Sequence, residues 1–220
     1  MGFWFKKNKE EYPDFWKEYE KLFDRKSKKS TFKDVRFVAF DTETTGFDYD
    51  NDRILSIGAV GIKNKSIQVS DQIEVYLEQE IFKESTVEIH GIRKHGSLLK
   101  LSEKEALRLF IAYIEDAILI AHHANFDKKM VNKALQRNGL GVLKNKILDT
   151  AVLFKKTKHL VYHTNSPVHY SLDELCNDLK ISKSDRHTAS GDAYITAIAF
   201  LKIVSKLFRN KKIELKSLLR

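Results

Sequence analysis

The chain has 220 residues, 42% of them hydrophobic, and a formal net charge of +9. This length suits one domain with a small appendage, and this composition excludes a disordered chain. No apolar run reaches the length of a membrane span, which argues against a membrane protein. The positive charge favours a polyanionic partner such as nucleic acid, with a Lys-rich solvated surface as an equal alternative. A single cysteine excludes an internal disulfide, and together with the lack of a secretory signal it predicts a cytoplasmic protein.

The segment before residue 35 combines charged residues with an aromatic stripe. Pro13 and Asp14 suit the first turn of a helix. The apolar residues that follow at helical spacing are Phe15, Trp16, Tyr19, Leu22 and Phe23. We therefore predict that residues 1–34 form an N-terminal helical extension and linker. This extension either packs on the domain or docks a protein partner.

Five stretches then have the composition of β-strands, and helical patterns separate the later ones. The strands are VRFVAFDT, RILSIGAVGIKN, KSIQVSDQIEVYLE, AILIAHH and KILDT. An antiparallel meander followed by alternating helices and strands predicts an α/β domain with a mixed sheet and helices on both faces. We place this domain at residues 35–208 and a short basic tail at residues 209–220.

Two carboxylates stand one residue apart where the first strand ends. Asp41 and Glu43 share one face of that strand, because side chains two apart point the same way. Two neighbouring carboxylates repel each other unless a cation lies between them, and oxygen ligands of this kind suit Mg²⁺ or Mn²⁺. A D-x-E pair alone is a weak signal, and on a surface strand it would be a solvated pair.

Two further stretches place acids at the starts of helices. Asp127 follows the strand in LIAHHANFDKKM, and Asp192 follows His187 by five residues in RHTASGDAYITA. Each acid alone could simply stabilise a helix N-terminus through the helix dipole. The three stretches nevertheless occur in order, each at the boundary of a predicted element.

These stretches resemble the motifs of a known enzyme family. DTETTG, HHANFD and HTASGD are similar to the three motifs of DEDD-type 3′–5′ exonucleases, of the group that resembles the proofreading epsilon subunit of bacterial DNA polymerase III. His187, with four residues between it and Asp192, matches the histidine subgroup of this family, DEDDh. The resemblance covers about residues 35–205 and implies a ribonuclease H-like fold with a mixed five-stranded sheet.

The resemblance also implies a mechanism. Two Mg²⁺ or Mn²⁺ ions would activate a water and stabilise the leaving 3′ oxygen. His187 would take the proton from that water. The carboxylates implied as metal ligands are Asp41, Glu43, Asp127 and Asp192.

Substrate contacts are implied around the first two motifs. The residues concerned are Thr44, Thr45, Gly46, Phe47, His122 and His123. Phe47 would stack on a base, or alternatively pack in the core. His123 departs from the family pattern, which usually has Asn there, and this weakens the expectation of one substrate contact.

The sequence leaves several functions open. We expect a nuclease that shortens nucleic-acid 3′ ends, with DNA favoured and RNA trimming, as in ribonuclease T, as the runner-up. A non-catalytic binding module that keeps the fold is a third reading. His159, His163 and His169 could bind zinc, or line a loop near the substrate, or belong to a solvated loop.

Overall fold

The computed structural model describes five stretches of the chain. They are residues 11–24, 31–94, 98–159, 170–209 and 211–219. Most of the predicted linker lies outside them, as do His163 and His169, and so does the side chain of His159. The zinc, loop and solvated-surface readings of these histidines therefore stay predictions.

The described residues alternate strands and helices after an initial helix. The strands are β1 (Phe37–Thr44), β2 (Ile54–Lys63), β3 (Ser66–Leu77), β4 (Lys100–Leu101), β5 (Ile118–Ala121) and β6 (Ile147–Asp149). The helices are α1 (Asp14–Asp24), α2 (Glu84–His90), α3 (Glu103–Ile114), α4 (Asn125–Arg137), α5 (Thr150–His159), α6 (Leu172–Leu179), α7 (Ala189–Leu207) and α8 (Leu215–Leu218). A short 3₁₀-helix, Phe32–Asp34, precedes β1.

The strands form one mixed sheet in the order β4-β3-β2-β1-β5-β6. β1, β2 and β3 pair antiparallel, as the meander predicts, whereas β5 runs parallel to β1 and β6 parallel to β5. The expectation of five strands was wrong by one, because β4 adds a sixth strand beside β3. β4 has only two residues, too few to show a period of two in the sequence.

Alternation along β1 directs its side chains to two separate cores. Val38 and Phe40 are buried in the core that contains α1, α3 and α4. Phe37 and Ala39 are buried in the opposite core, with α5, α6 and α7. The same alternation continues past the apolar residues and decides which helix each polar side chain at the end of β1 faces.

The N-terminal helix packs on the domain. Trp16 is fully buried and Tyr19 nearly so, both in the core with α3 and α4. The Tyr19 hydroxyl donates to Asn145 Oδ1 at 2.6 Å and accepts from the Lys144 backbone N–H at 2.8 Å. The packing alternative is thus the observed one, and docking of a protein partner stays a prediction.

The C-terminal part of the described chain also contacts the domain. Leu218 in α8 is buried against the core that contains α7, so this part of the predicted tail contacts the domain. Among the described residues, no helix combines the length and the apolar character that crossing a bilayer requires.

Candidate active site

Three carboxylates from two elements meet where β1 ends. One oxygen from each of Asp41, Glu43 and Asp192 lies within 4.8 Å of the others. Asp41 and Glu43 continue the face of β1 that carries Phe37 and Ala39, which is the face that α7 covers. Asp192 lies in the first turn of α7. The strand period therefore aims both β1 acids at the start of this helix.

A glycine allows α7 to come this close. Gly58 lies opposite Asp41 in the β1–β2 register. A Cβ atom at Gly58 would lie 2.2 Å from the backbone carbon of Ala189 and 2.2 Å from the backbone nitrogen of Ser190. No larger residue fits there unless α7 shifts, so Gly58 sets the distance between Asp192 and the β1 acids.

The fourth predicted acid reaches the site from the opposite face. Asp127 lies in the first turn of α4 and is buried. Its Oδ1 accepts hydrogen bonds from the Thr42 backbone N–H at 3.1 Å and from the Thr42 hydroxyl at 2.7 Å. Thr42 points toward α4 because it alternates with its neighbours Asp41 and Glu43. All four predicted acids therefore gather at one strand end, with Asp127 beside the group of three.

Burial and neighbouring carboxylates disfavour the charged forms of three of these acids and raise their pKa values. Burial raises the pKa of Glu43 to about 7, and the charge of Asp192 adds to this. Burial also raises the pKa of Asp127 to about 7, in spite of its bonds from Thr42. The pKa of Asp41 lies well above its usual range because of burial and then repulsion from Asp127, Asp192 and Glu43. Such a group is stable as carboxylates only beside positive charge.

The site fits a divalent cation. Asp192 Oδ1 is buried and accepts no hydrogen bond from the described residues. A buried carboxylate oxygen of this kind costs free energy unless something binds it. The available ligands are all carboxylate oxygens, which suit Mg²⁺ and Mn²⁺ rather than softer metals.

His187 lies beside this group in an exposed turn before α7. Its backbone N–H donates to Asp192 Oδ2 at 3.3 Å. Its φ is +67°, in the left-handed region that residues other than glycine seldom adopt. The residue is exposed, so its imidazole is open to solvent.

Sequence reasoning missed the residue just before this histidine. Arg186 forms an ion pair through Nη1 with Asp192 Oδ2, and through Nε with Asp173 Oδ1 at 2.9 Å. Its charge lowers the pKa values of Asp41 and Glu43 against the larger effect of burial. The only sequence signal was a positive residue directly before the third motif, and a charge without a visible partner is not distinctive.

The turn that follows β1 is supported by Asp52, an acid outside the carboxylate group. Thr45 is fully buried, and its hydroxyl donates to Asp52 Oδ1 at 2.8 Å. Lys83 forms an ion pair with the same carboxylate. A Cβ atom at Gly46 would lie 2.4 Å from Asp52 Oδ2. Thr44 bonds within the turn, its hydroxyl donating to the Gly46 carbonyl at 2.8 Å.

Phe47 at the tip of this turn is not a core residue. Its side chain is 82% exposed. Its ring contacts Phe126, the neighbour of Asp127, with ring centroids 5.7 Å apart. Tyr49 contacts Phe126 from another side, also at 5.7 Å. An aromatic surface open to solvent therefore adjoins the carboxylates, and the core-packing alternative for Phe47 is wrong.

The two adjacent histidines differ in their surroundings. His122 is buried between Thr150 Oγ1, 2.9 Å from Nδ1, and the Tyr170 carbonyl, 2.8 Å from Nε2. Burial lowers the pKa of His122 to about 4, so the ring is neutral at physiological pH. Both of its nitrogens serve the protein itself. His123 is exposed and has a left-handed φ of +56°. Substrate contact by either residue stays a prediction.

In this α/β sheet, β1 brings acids to the N-termini of two helices, α4 and α7. The sequence profile of the RNase T family, described as exonuclease, matches residues 38–200. The chain belongs to this exonuclease family.

Relatives by sequence are PolC-type DNA polymerases III. The chain is 36% identical over 174 residues to the PolC-type DNA polymerase III of Caldanaerobacter subterraneus subsp. tengcongensis, which is 78% of this chain. It is 35% identical over 179 residues, or 81% of this chain, to the enzyme of the same name from Thermotoga maritima. The match spans 12% of the length of each of these relatives.

Solved structures show the same fold. A zinc-bound complex of E. coli ExoI with single-stranded DNA superposes with a TM-score of 0.68 at 18% identity, over 80% of this chain and 42% of that one. Cell-death related nuclease 4 gives a TM-score of 0.67 at 10% identity, over 77% of this chain and 64% of that one.

Proposed function

We propose that this protein is a metal-dependent 3′–5′ exonuclease that hydrolyses DNA, at single-stranded or frayed ends, to nucleoside 5′-monophosphates. The observation that carries the proposal is the group of carboxylates at the end of β1. One oxygen from each of three carboxylates lies within 4.8 Å of the others. Asp192 Oδ1 is buried and has no partner in the described residues. A buried carboxylate oxygen without a partner lowers the stability of a fold, whereas carboxylates grouped in this way can hold the cations of a metal-dependent phosphodiester hydrolysis.

Each acid has a defined task in this proposal. The residues that would hold two Mg²⁺ or Mn²⁺ ions are Asp41, Glu43, Asp127 and Asp192. When bound, the ions would supply an activated water and would stabilise charge on the phosphate and the leaving oxygen. β1 is rigid and central, so Asp41 and Glu43 hold fixed positions. Thr42 orients Asp127, as a supporting hydrogen bond does for a metal ligand.

His187 is the proposed general base. It stands in an exposed turn tied to Asp192 by its backbone N–H, so the residue adjoins the carboxylate group and its side chain is accessible to water. A ring nitrogen of a neutral imidazole can accept a proton, which suits a general base for the attacking water.

The turn after β1 is the proposed site for the terminal nucleotide. Phe47 offers an exposed ring for a base, and base–aromatic stacking is typically worth about 1–3 kcal/mol. The backbone around Thr44 and Gly46 can approach the nucleotide closely because Thr45 and Asp52 fix it from behind. DNA is preferred as substrate because the PolC-type relatives are DNA polymerases and the ExoI neighbour is a complex with single-stranded DNA.

The test is digestion of a labelled single-stranded DNA and its RNA twin with Mg²⁺ or Mn²⁺. A 5′ label should give a ladder that shortens from the 3′ end, and a 3′ label should appear at once as mononucleotide. EDTA and Asp41→Asn should abolish both results. Asp178→Asn is the matched control, because Asp178 is a half-exposed acid paired with Lys158.

Three outcomes would revise the proposal. Faster digestion of the RNA would make the protein an RNA-trimming exonuclease with the same site. Early release of a 5′ label would reverse the polarity. Binding of either strand without shortening would leave a nucleic-acid-binding module.

A further inference from the structure

Arg186 occupies the carboxylate that the proposed cations need. Its Nη1 contacts Asp192 Oδ2, and its side chain is only 16% exposed. The His187 backbone N–H shares the same oxygen. The other oxygen, Oδ1, is buried and has no partner in the described residues, and Asp192 contributes one of its two oxygens to the group with Asp41 and Glu43. Arg186 and a divalent cation would therefore bind opposite oxygens of one carboxylate.

Two positive charges on one carboxylate oppose each other. A guanidinium already neutralises the charge that would attract the cation. It also repels a cation a few ångströms away, and this repulsion is strong in a partly buried site where water screens poorly. Of the charged groups whose effects on Asp41 and Glu43 are resolved, Arg186 is the positive one.

Asp173 gives Arg186 a second partner. It lies in the first turn of α6, its carboxylate is half exposed, and it accepts from Arg186 Nε at 2.9 Å. Arg186 can therefore release Asp192 and keep one ion pair. A buried guanidinium left without any acceptor would make such a release costly, and this second pair removes most of that cost.

We propose that Arg186 is an internal competitor of the divalent cations, which holds Asp192 before a cation binds and gives up that carboxylate as the cation is loaded. This inference rests on the proposed function and names a residue that regulates the same site. It assigns Arg186 no contact with substrate. Its role is to keep the carboxylates partly neutralised and His187 positioned until metal is present.

The test is a titration with Mn²⁺ in the absence of nucleic acid, read from the electron paramagnetic resonance signal of free Mn²⁺. Arg186→Gln should bind Mn²⁺ at least tenfold more tightly than the wild type. In EDTA the same variant should unfold at a lower temperature, because the acids lose their counter-charge. Arg108→Gln is the matched control, since Arg108 pairs with Glu105 on α3, and it should change neither result.

Arg186→Lys provides a second variant that keeps the charge. Lysine is a point charge without the guanidinium fork, so it cannot bridge Asp192 and Asp173 in the same way. Its Mn²⁺ affinity should fall between those of the wild type and Arg186→Gln. If the Gln variant does not fold in EDTA, the Lys variant carries the test through its tighter Mn²⁺ binding than the wild type.

Unchanged or weaker Mn²⁺ binding in both variants would overturn the inference, because Arg186 would then support the loaded site rather than compete with it. The failure of the proposed function would look different. In that case the wild type itself would not bind Mn²⁺, or would bind it equally well after Asp41→Asn.

Discussion

Two acidic regions lie on either side of the turn that follows β1, and they differ in how their charges are satisfied. Behind the turn, Asp52 accepts hydrogen bonds from the Thr45 hydroxyl at 2.8 Å and the Asp48 backbone N–H at 2.9 Å, and it pairs with Lys83. Burial opposes ionisation of Asp52, but Lys83 and these hydrogen bonds outweigh it and lower its pKa. In front of the turn, burial raises the pKa of Glu43 to about 7.

The comparison separates an acid that stabilises the fold from the acids that we propose as metal ligands. Both regions bury carboxylates, so burial alone does not distinguish them. Asp52 has donors on every side, whereas Asp192 Oδ1 has none among the described residues. A fully paired acid stabilises the native state, and an unpaired one lowers its stability until a ligand binds.

The largest expected effect comes from Asp41→Asn. Loss of a metal ligand removes several kcal/mol of transition-state stabilisation, which is about a 1,000-fold loss of exonuclease rate. The unfolding temperature in EDTA should stay the same or rise, because the substitution removes a repelled charge. Rate assays measure the loss of activity, and thermal unfolding in EDTA measures the stability. A large loss of stability in EDTA would show that Asp41, like Asp52, serves the fold.

Gly58→Ala should damage the site without touching an acid. The new Cβ would push α7 and Asp192 away from β1, at a cost of about 1–3 kcal/mol of stability from overpacking. A displacement of about 1 Å can reduce the rate about 100-fold. Gly61→Ala in the same strand is the control, because the nearest atoms to its Cβ would belong to the Asp71 side chain and not to α7. Equal rates for the two variants would contradict the role given to Gly58.

Asp52→Ala should act mainly on stability. It leaves Lys83 and the buried Thr45 hydroxyl without their acceptor, at a cost of about 1–3 kcal/mol in denaturant unfolding. Asp50→Ala removes a neighbouring acid that pairs with Lys133 at the surface, and it should cost at most about 1 kcal/mol. If both variants were equally stable, the contrast between the two acidic regions would fail on its structural side.

Phe47→Ala should have the smallest effect. The exposed ring contributes little to folding, so the free energy of unfolding should change by less than about 0.5 kcal/mol. Loss of a stacked base should raise KM for single-stranded DNA by roughly fivefold, about 1 kcal/mol. Steady-state kinetics on DNA oligonucleotides measure this change. An unchanged KM would remove Phe47 from the substrate path.

The sequence predicted what depends on local pattern. The apolar, β-prone composition of residues 35–42 predicted β1, and the strand period of two placed Asp41 and Glu43 on one face. The first turns of α4 and α7 hold Asp127 and Asp192 as expected. The acids gather at one place because strand ends and helix starts meet at the edge of such a sheet.

Long-range contacts escaped prediction. Gly58 and Asp52 act through Ala189 and Lys83, which are distant in the sequence and meet them only in the fold. Arg186 is close to Asp192 in the sequence, but its pairing depends on the conformation of the turn before α7. β4 was missed because it is too short: two residues are too few to show the alternation of a strand.

The most direct test of the account is thermal unfolding of the wild type at pH 6 and pH 8, with EDTA or with Mn²⁺. Glu43 and Asp127, with pKa values raised to about 7, bind more protons in the folded than in the unfolded state. In EDTA, stability should therefore fall as the pH rises through 7. Asp52, whose pKa is lowered, stays ionised throughout this range. We predict that Mn²⁺ stabilises the protein, more at pH 8 than at pH 6, and that Asp41→Asn loses this gain. No stabilisation by Mn²⁺ at either pH would contradict a cation site at the end of β1.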